Sequence, residues 1–240
     1  MLTGQLQQFW LISDMEESGE SPLKTCRKPR IIELIEFDRE FVGSSPVIGV
    51  DEAGRGPLAG PVTACALYFP KFTEELAEIL KFLDDSKKFS SNPKLRKELA
   101  EEIKKQTKYA ICECSVDEID KYNILQASLL AMKRACQKLT EQINSEYSPK
   151  ILIDGKFVIP NYKTNQLPVI KGDSKSASIA AASILAKVHR DELMCRLSEQ
   201  HPVYLWKKNK GYPTKAHIQA IREHGACGWH RKSFLKKVLD

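Results

Sequence analysis

The chain has 240 residues, 42% of them hydrophobic, and a formal net charge of +6, enough to bury one large core or one core with a small appendage. That excludes a chain disordered throughout. The longest apolar stretch, 62–69, contains Thr63 and is about half of what spanning a bilayer needs, and the short run 9–12 is followed by Asp14, Glu16 and Glu17, unlike a signal peptide. The expectation is a cytosolic protein with no membrane contact.

Residues 1–30 mix Ser, Gly, Glu and Pro without periodicity and read as a loosely ordered leader, with Met15 as an alternative start. Residues 31–42 have helical spacing and lead through Gly43 and Pro46 into a strand at 47–50. A second strand at 62–69 follows a turn rich in Gly and Pro, which predicts an antiparallel hairpin. Helical patterns occupy 73–83 and 93–108, the latter with Asn92 as N-cap and Pro93 at its first position. A strand at 109–115 precedes a helix at 123–140, whose stripe of Leu125, Leu129, Met132, Cys136 and Leu139 has to be buried. Strands at 150–153 and 167–170 flank a loop containing Pro160, and a long Ala-rich helix follows from Ser176 to Gln200. Its small residues suit close packing on a sheet. A last helix, 214–224, is stopped by Gly225. This order predicts an α/β fold, a mixed sheet flanked by helices, with residues 31–200 as the main domain and 201–240 as a basic helical appendage.

Charge and cysteines refine the class. Residues 207–240 carry nine Lys/Arg against Glu223 and Asp240, a net +7, so the remainder sums to −1. With Tyr204, Trp206, Tyr212, Trp229 and Phe234 interleaved, this is the footprint of a polyanion-binding segment or of a solvated helical face. The seven cysteines are odd in number and contain no CxxC pair, so they read as reduced, buried thiols. Cys227 and His230 have metal-like spacing but no second pair to complete a zinc site.

Three stretches carry the chemistry: 47–60, 151–155 and 169–176. In each an apolar run reaches an acidic residue with Gly nearby: Asp51 and Glu52, Asp154, and Asp173. Strands of one sheet can deliver such ends to a common edge. Four carboxylates there would form a hard-oxygen site for Mg²⁺ or Mn²⁺, suited to phosphate-ester hydrolysis. Asp51 and Glu52 are neighbours, so sharing an ion requires the strand to end at them. Each acid also has a plainer reading: a turn around Gly54, Arg55 and Gly56, an Asp-Gly turn at 154, and a helix N-cap at Asp173. Asp191 lies roughly 27 Å along the helix from Asp173 and falls outside any shared site. Asp84 and Asp85 stand beside Ser86, Lys87 and Lys88, whose lysines could touch phosphate.

The motifs DEAGRGPLAGPV, DDSKK, NILQASLLAM, LIDGK, KGDSKSASIAAASILAKVHRDELM, KGYPTKAH and EHG...HRKSF, in that order across about 31–237, resemble ribonuclease HII, the bacterial type 2 ribonuclease H. The resemblance implies a ribonuclease H-like fold and hydrolysis of RNA paired with DNA by divalent cations, giving 5′-phosphate and 3′-hydroxyl ends. It implies that Asp51, Glu52 and Asp154 are metal ligands and Asp173 a fourth catalytic carboxylate. Gly54, Arg55 and Gly56 resemble the loop that reads a ribonucleotide 2′-OH at an RNA–DNA junction, and Tyr212 the tyrosine that packs on the junction sugar; Lys87 is a further candidate substrate contact. The implied partners are RNA–DNA hybrid and DNA with embedded ribonucleotides, bound by a monomer. A binding module using the basic tail alone and a DNA-directed metal nuclease of the same fold are the competing readings. Gln5, Leu6 and Phe9 loosely resemble a peptide that docks on a sliding clamp.

Overall fold

In the computed structural model, which describes residues 30–42, 46–71, 92–143 and 148–239, five strands make one mixed sheet. They are β1 (Val47–Ala53), β2 (Val62–Tyr68), β3 (Lys108–Cys114), β4 (Lys150–Asp154) and β5 (Asn165–Val169), laid side by side as β3-β2-β1-β4-β5. The expected hairpin forms, with Ile48 opposite Tyr68 and Ala53 opposite Thr63. β2 and β3 are also antiparallel, whereas β4 joins β1 and β5 joins β4 in parallel. The helices are α1 (Arg30–Val42), α2 (Pro93–Gln106), α3 (Val116–Tyr122), α4 (Ile124–Thr140), α5 (Ala177–Gln200), the single turn α6 (Trp206–Asn209), α7 (Lys215–His224) and α8 (Lys232–Leu239). The expected helix at 73–83 lies outside the described residues.

The period of two along each strand sorts the two cores. Ile48 and Val50 of β1, Val62, Ala64 and Ala66 of β2, and Ile151 and Ile153 of β4 bury against α3 and α4. The alternate residues Cys65 and Leu67 face α1, α2 and α5, whose alanines 177, 180, 181, 182 and 186 are buried there. Contact between α5 and β1 depends on Gly49: a Cβ at that position would stand 2.2 Å from the Ser178 carbonyl carbon. Asp38 of α1 reaches the start of α5, where its Oδ2 accepts the Ser178 N–H at 2.8 Å. The Ser176 hydroxyl caps the same helix by accepting from Ile179 N–H at 3.1 Å, so Ser176, and not Asp173, is the N-cap.

Several boundaries differ from expectation. β1 continues through Ala53 instead of stopping at Val50. The helix expected at 123–140 begins one residue later, because Asn123 sits at φ 69° and joins two helices. The helix before it, α3, opens with a capping box of Ser115 and Glu118. Beyond residue 200 the chain does not stand apart. Tyr204, Trp206, Ala220, Ile221 and Leu235 share one core with Leu58, Ala59, Met194 and Leu197.

Candidate active site

The acids meet where β1 and β4 part. The parallel ladder between these strands ends at Val50 opposite Ile153, so Asp51, Glu52 and Asp154 stand just past it, at the carboxyl ends of neighbouring parallel strands. Ligand sites of open α/β sheets lie in such a crevice. On its other flank β1 stays paired, Asp51 to Cys65 and Glu52 to Ala64. The strand therefore ends on one side only, and alternation still holds. Asp51 turns to the α5 side, where Ser183 hydrogen-bonds it. Glu52 faces a cleft of about 320 Å³ lined also by Arg55, Ser128, Met132, Asp154 and Phe157. Asp154 closes the gap from β4, its Oδ1 accepting the Gly172 N–H at 2.7 Å. Asp173, itself exposed, follows on the 3₁₀ turn Gly172–Ser174, near enough to Asp154 for its charge to raise the Asp154 pKa.

Electrostatics mark these groups as mutually stressed. Burial, then the charges of Glu52 and Asp154, push the Asp51 carboxyl well above the usual carboxylate range. Glu52 is raised by burial and by Asp154, against the pull of Arg55, whose Nη1 lies 3.2 Å from Glu52 Oε1. Asp154 is raised by burial first, and the Gly172 N–H opposes it. Like charges held this close disfavour ionisation unless a cation joins them. Among the described residues no three His, Cys, Asp or Glu side chains converge tightly enough to hold a metal as they stand; Arg55 and Gly172 each hold one oxygen, of Glu52 and Asp154 respectively. The donor set nevertheless fits Mg²⁺ or Mn²⁺: it is all carboxylate, and the buried Glu52 Oε2 has no hydrogen-bond partner.

Over the acids runs the loop 54–61. Gly54 has φ +98°, and a Cβ there would lie 2.1 Å from Arg190 Nε, so glycine is required twice over. Arg55 and Gly56 are exposed. The Tyr212 ring edge lies 3.6 Å from where a Gly56 Cβ would stand, and Lys187 Nζ sits 5.7 Å from that ring's centroid. Thus Arg55 lines the cleft, and Tyr212 lies beside Gly56 at the exposed turn of the same loop.

Two fully buried arginines hold this loop. Arg190 donates from Nε to Pro61 O (3.0 Å), from Nη2 to Ala59 O (2.9 Å) and from Nη1 to Lys210 O (3.0 Å). Arg231 donates from Nε to Gly60 O (2.9 Å), from Nη1 to Arg55 O (3.1 Å), and from Nη2 to Gly54 O (2.7 Å) and Pro61 O (3.2 Å). Burial, then repulsion from Arg190, lowers the Arg231 pKa to about 9. The sequence reading missed Arg190 and counted Arg231 among the tail's solvated charges. The signal for Arg190 was positional: it falls on the stripe of Ala186, Met194 and Leu197, where an apolar residue belongs.

The tail differs in other ways. Tyr204 and Trp206 are buried and cannot stack on bases. Trp206 Nε1–H donates to His217 Nε2 at 2.9 Å, and His217 Nε2 lies 3.2 Å from His230 Nε2. Tyr212 and Trp229 remain exposed, at 40% and 36%. Cys227 and His230 meet within one turn, where His230 Nδ1 accepts the Cys227 N–H at 3.0 Å. Among the described cysteines, 65, 114 and 136 are buried and 112, 195 and 227 partly so. Asp191 stands away from the acids, with Lys187 at 2.7 Å and Arg96 at 3.5 Å. It lines a wider cavity of about 570 Å³ between α2 and α5, where Lys97 and Glu192 also pair at 2.7 Å; the larger volume lies apart from the carboxylate site. Lys87 lies outside the described residues.

The ribonuclease HII family profile matches residues 48–237. Over 205 residues the chain is 51% identical to the ribonuclease HII of Fusobacterium nucleatum subsp. nucleatum, covering 85% of this chain and 91% of that protein. Its fold is similar to that of ribonuclease H2 from Pyrococcus horikoshii OT3, with TM-score 0.62 at 24% identity, covering 80% of this chain and 96% of that one. It is similar also to a structure of the PCNA:RNase HII complex from Archaeoglobus fulgidus, with TM-score 0.61 at 25% identity, covering 78% and 94%.

Proposed function

The chain belongs to the ribonuclease HII family, and from that premise we propose that it cuts the RNA strand of RNA–DNA hybrids and nicks DNA on the 5′ side of embedded ribonucleotides. It is a metal-dependent endoribonuclease with a ribonuclease H-like fold. What supports the finer reading is that Asp51, Glu52 and Asp154 stand at the carboxyl ends of β1 and β4, where these strands part, with Asp173 next to Asp154 and Arg55 lining the same cleft as Glu52 and Asp154.

Asp51, Glu52 and Asp154 are the residues that would hold divalent cations, and Asp173 stands beside them. Two bound Mg²⁺ or Mn²⁺ ions would supply the Lewis acidity and the lowered water pKa that in-line hydrolysis of a phosphodiester requires. The chain's own groups do the rest. The attacking water gives up a proton and the departing 3′-oxygen takes one up, which leaves a 3′-hydroxyl and a 5′-phosphate, and Asp173, exposed next to Asp154, is the fourth carboxylate of the site. Arg55, at the rim of the acid cluster, offsets its charge and receives phosphate. Tyr212 offers a ring face to the sugar at the junction. The loop 54–56 faces the 2′-OH, the group that separates RNA from DNA at a single position. No covalent nucleophile is needed.

Matched all-DNA, all-RNA and hybrid duplexes, incubated with Mg²⁺, test this: cleavage confined to the RNA strand of the hybrid is expected, and cleavage of the all-DNA duplex would replace this reading with a DNA-directed nuclease. The basic residues of 201–240 that remain exposed would attract the duplex through its phosphates, and the enzyme is taken to act as a cytoplasmic monomer. The segment around Gln5, Leu6 and Phe9, outside the described residues, is proposed to dock on a sliding clamp, a partner that the Archaeoglobus relative has in its complex. Equal capture by the clamp of the full chain and of one starting at Met15 would remove that partner.

A further inference from the structure

Arg190 and Arg231 are each 0% exposed, and among the described residues neither forms an ion pair: their seven donor contacts all end on backbone carbonyls. Two adjacent guanidinium charges kept from water without a carboxylate are costly. The cost is met only by what they hold in place, and six of the seven contacts fall on residues 54–61. The planar, forked guanidinium can serve several carbonyls at once, which a lysine amine cannot.

The direction of those contacts fixes the other side of the loop. All peptide bonds here are trans, and in a trans peptide the C=O of one residue and the N–H of the next point in opposite directions. Gly54 O and Arg55 O both turn inward to Arg231. The N–H groups of Arg55 and Gly56 therefore turn outward, beside Tyr212. Neither donates to a backbone acceptor among the described residues, whereas Leu58 N–H and Gly60 N–H further along are held by Gly211 O and Trp229 O at 2.8 Å. Arg231 is itself anchored from both sides. Its own N–H donates to Leu58 O at 2.8 Å, and the Asp120 carboxylate accepts the Lys232 and Ser233 N–H groups at 2.9 and 3.0 Å.

We propose that Arg231 is a specificity-setting positioning residue: by holding Gly54 O and Arg55 O inward it presents two free amides to the sugar, so that a ribonucleotide is told from a deoxyribonucleotide. This rests on the reading of 54–56 as the loop that faces the 2′-OH. Arg190 secures the far end of the same loop and touches neither of those two carbonyls.

The test is equilibrium binding, with Ca²⁺ in place of Mg²⁺, of a duplex carrying one ribonucleotide and of its all-DNA twin. Wild type should prefer the former. Arg231→Lys keeps the charge but not the fork, and should weaken binding of the ribonucleotide duplex by about tenfold or more, the worth of one charge-assisted hydrogen bond, with all-DNA binding unchanged. A purely structural role would weaken both alike and overturns the proposal, as does a folded Arg231→Lys that keeps the wild-type preference. Equal wild-type affinity for both duplexes would instead remove the reading of the loop, and the proposal with it. Should the variant not fold, amide NMR of wild type decides: the Arg55 and Gly56 resonances are expected to shift with the ribonucleotide duplex only, and identical shifts with both duplexes refute the idea.

Discussion

Asp38 offers a quantitative check on how the start of α5 is built. It is 2% exposed, and burial, partly offset by hydrogen bonds from Ser176 and Ser178, raises its pKa from 3.8 to about 6. The folded state then keeps this proton to a higher pH than the unfolded chain does, so stability falls as pH rises from about 4 to about 6. At 1.36 kcal/mol per pKa unit, the full effect is about 3 kcal/mol. Asp38→Asn imitates the protonated form while keeping an oxygen for the Ser178 N–H. Urea unfolding of wild type and variant in chelator, at pH 4 and pH 7.5, isolates this group because other titrations cancel in the difference. The variant should gain about 2 kcal/mol relative to wild type between the two pH values, with cleavage activity retained, since Asp38 does not line the acid cleft. A difference that stays flat within about 0.5 kcal/mol, or a variant that loses ground as pH rises, would refute both the burial and its sign.

Other consequences follow from the same contacts. Asp51→Asn or Asp154→Asn should abolish cleavage with an unchanged circular dichroism spectrum, because each removes ligand charge at nearly constant shape; near-normal turnover in Mg²⁺ would contradict the assignment. Gly49→Ala drives a methyl into the Ser178 backbone and should cost about 1–3 kcal/mol by overpacking, read as a lower urea midpoint together with a fall in kcat. Removing residues 226–240 takes away Arg231 and leaves Gly54, Arg55 and Gly60 carbonyls unpaired, at about 1–3 kcal/mol each. The truncated chain should therefore lose its cooperative thermal transition, not merely flatten the salt dependence of binding; a normal transition would show the tail to be peripheral after all.

Much of the sheet was legible because short apolar runs, bounded by Gly and Pro, leave few alternatives for 47–50, 62–69 and 150–153. The acids were legible because each closes or closely follows such an apolar run, with Gly nearby. The hidden part depended on contacts distant in sequence. That β1 could pass Asp51 and Glu52 and still free them on one flank follows from where β4 stops, about a hundred residues later. α3 carried a readable signal, the box of Ser115 and Glu118, but its single buried pair, Val116 and Ile119, gave no sustained stripe. The basic tail misled because charge was counted without burial: Arg231 looks in sequence like any other cation of the tail, and only its carbonyl partners at 54, 55, 60 and 61 separate it from them. Asp38, one acid among several in α1, becomes exceptional only once Ser178, 140 residues away, lies against it.

Mapping the nick in a DNA duplex that carries one ribonucleotide tests the central claim most directly. Incubated with Mg²⁺, the strand should be cut once, on the 5′ side of the ribonucleotide, leaving a 3′-hydroxyl on one fragment and a 5′-phosphate on the other, and replacing that one 2′-OH by hydrogen should stop the reaction. Cleavage that persists in the all-DNA duplex, or that ignores the ribonucleotide's position, would contradict a site in which four carboxylates do the chemistry and the 54–56 loop chooses the sugar.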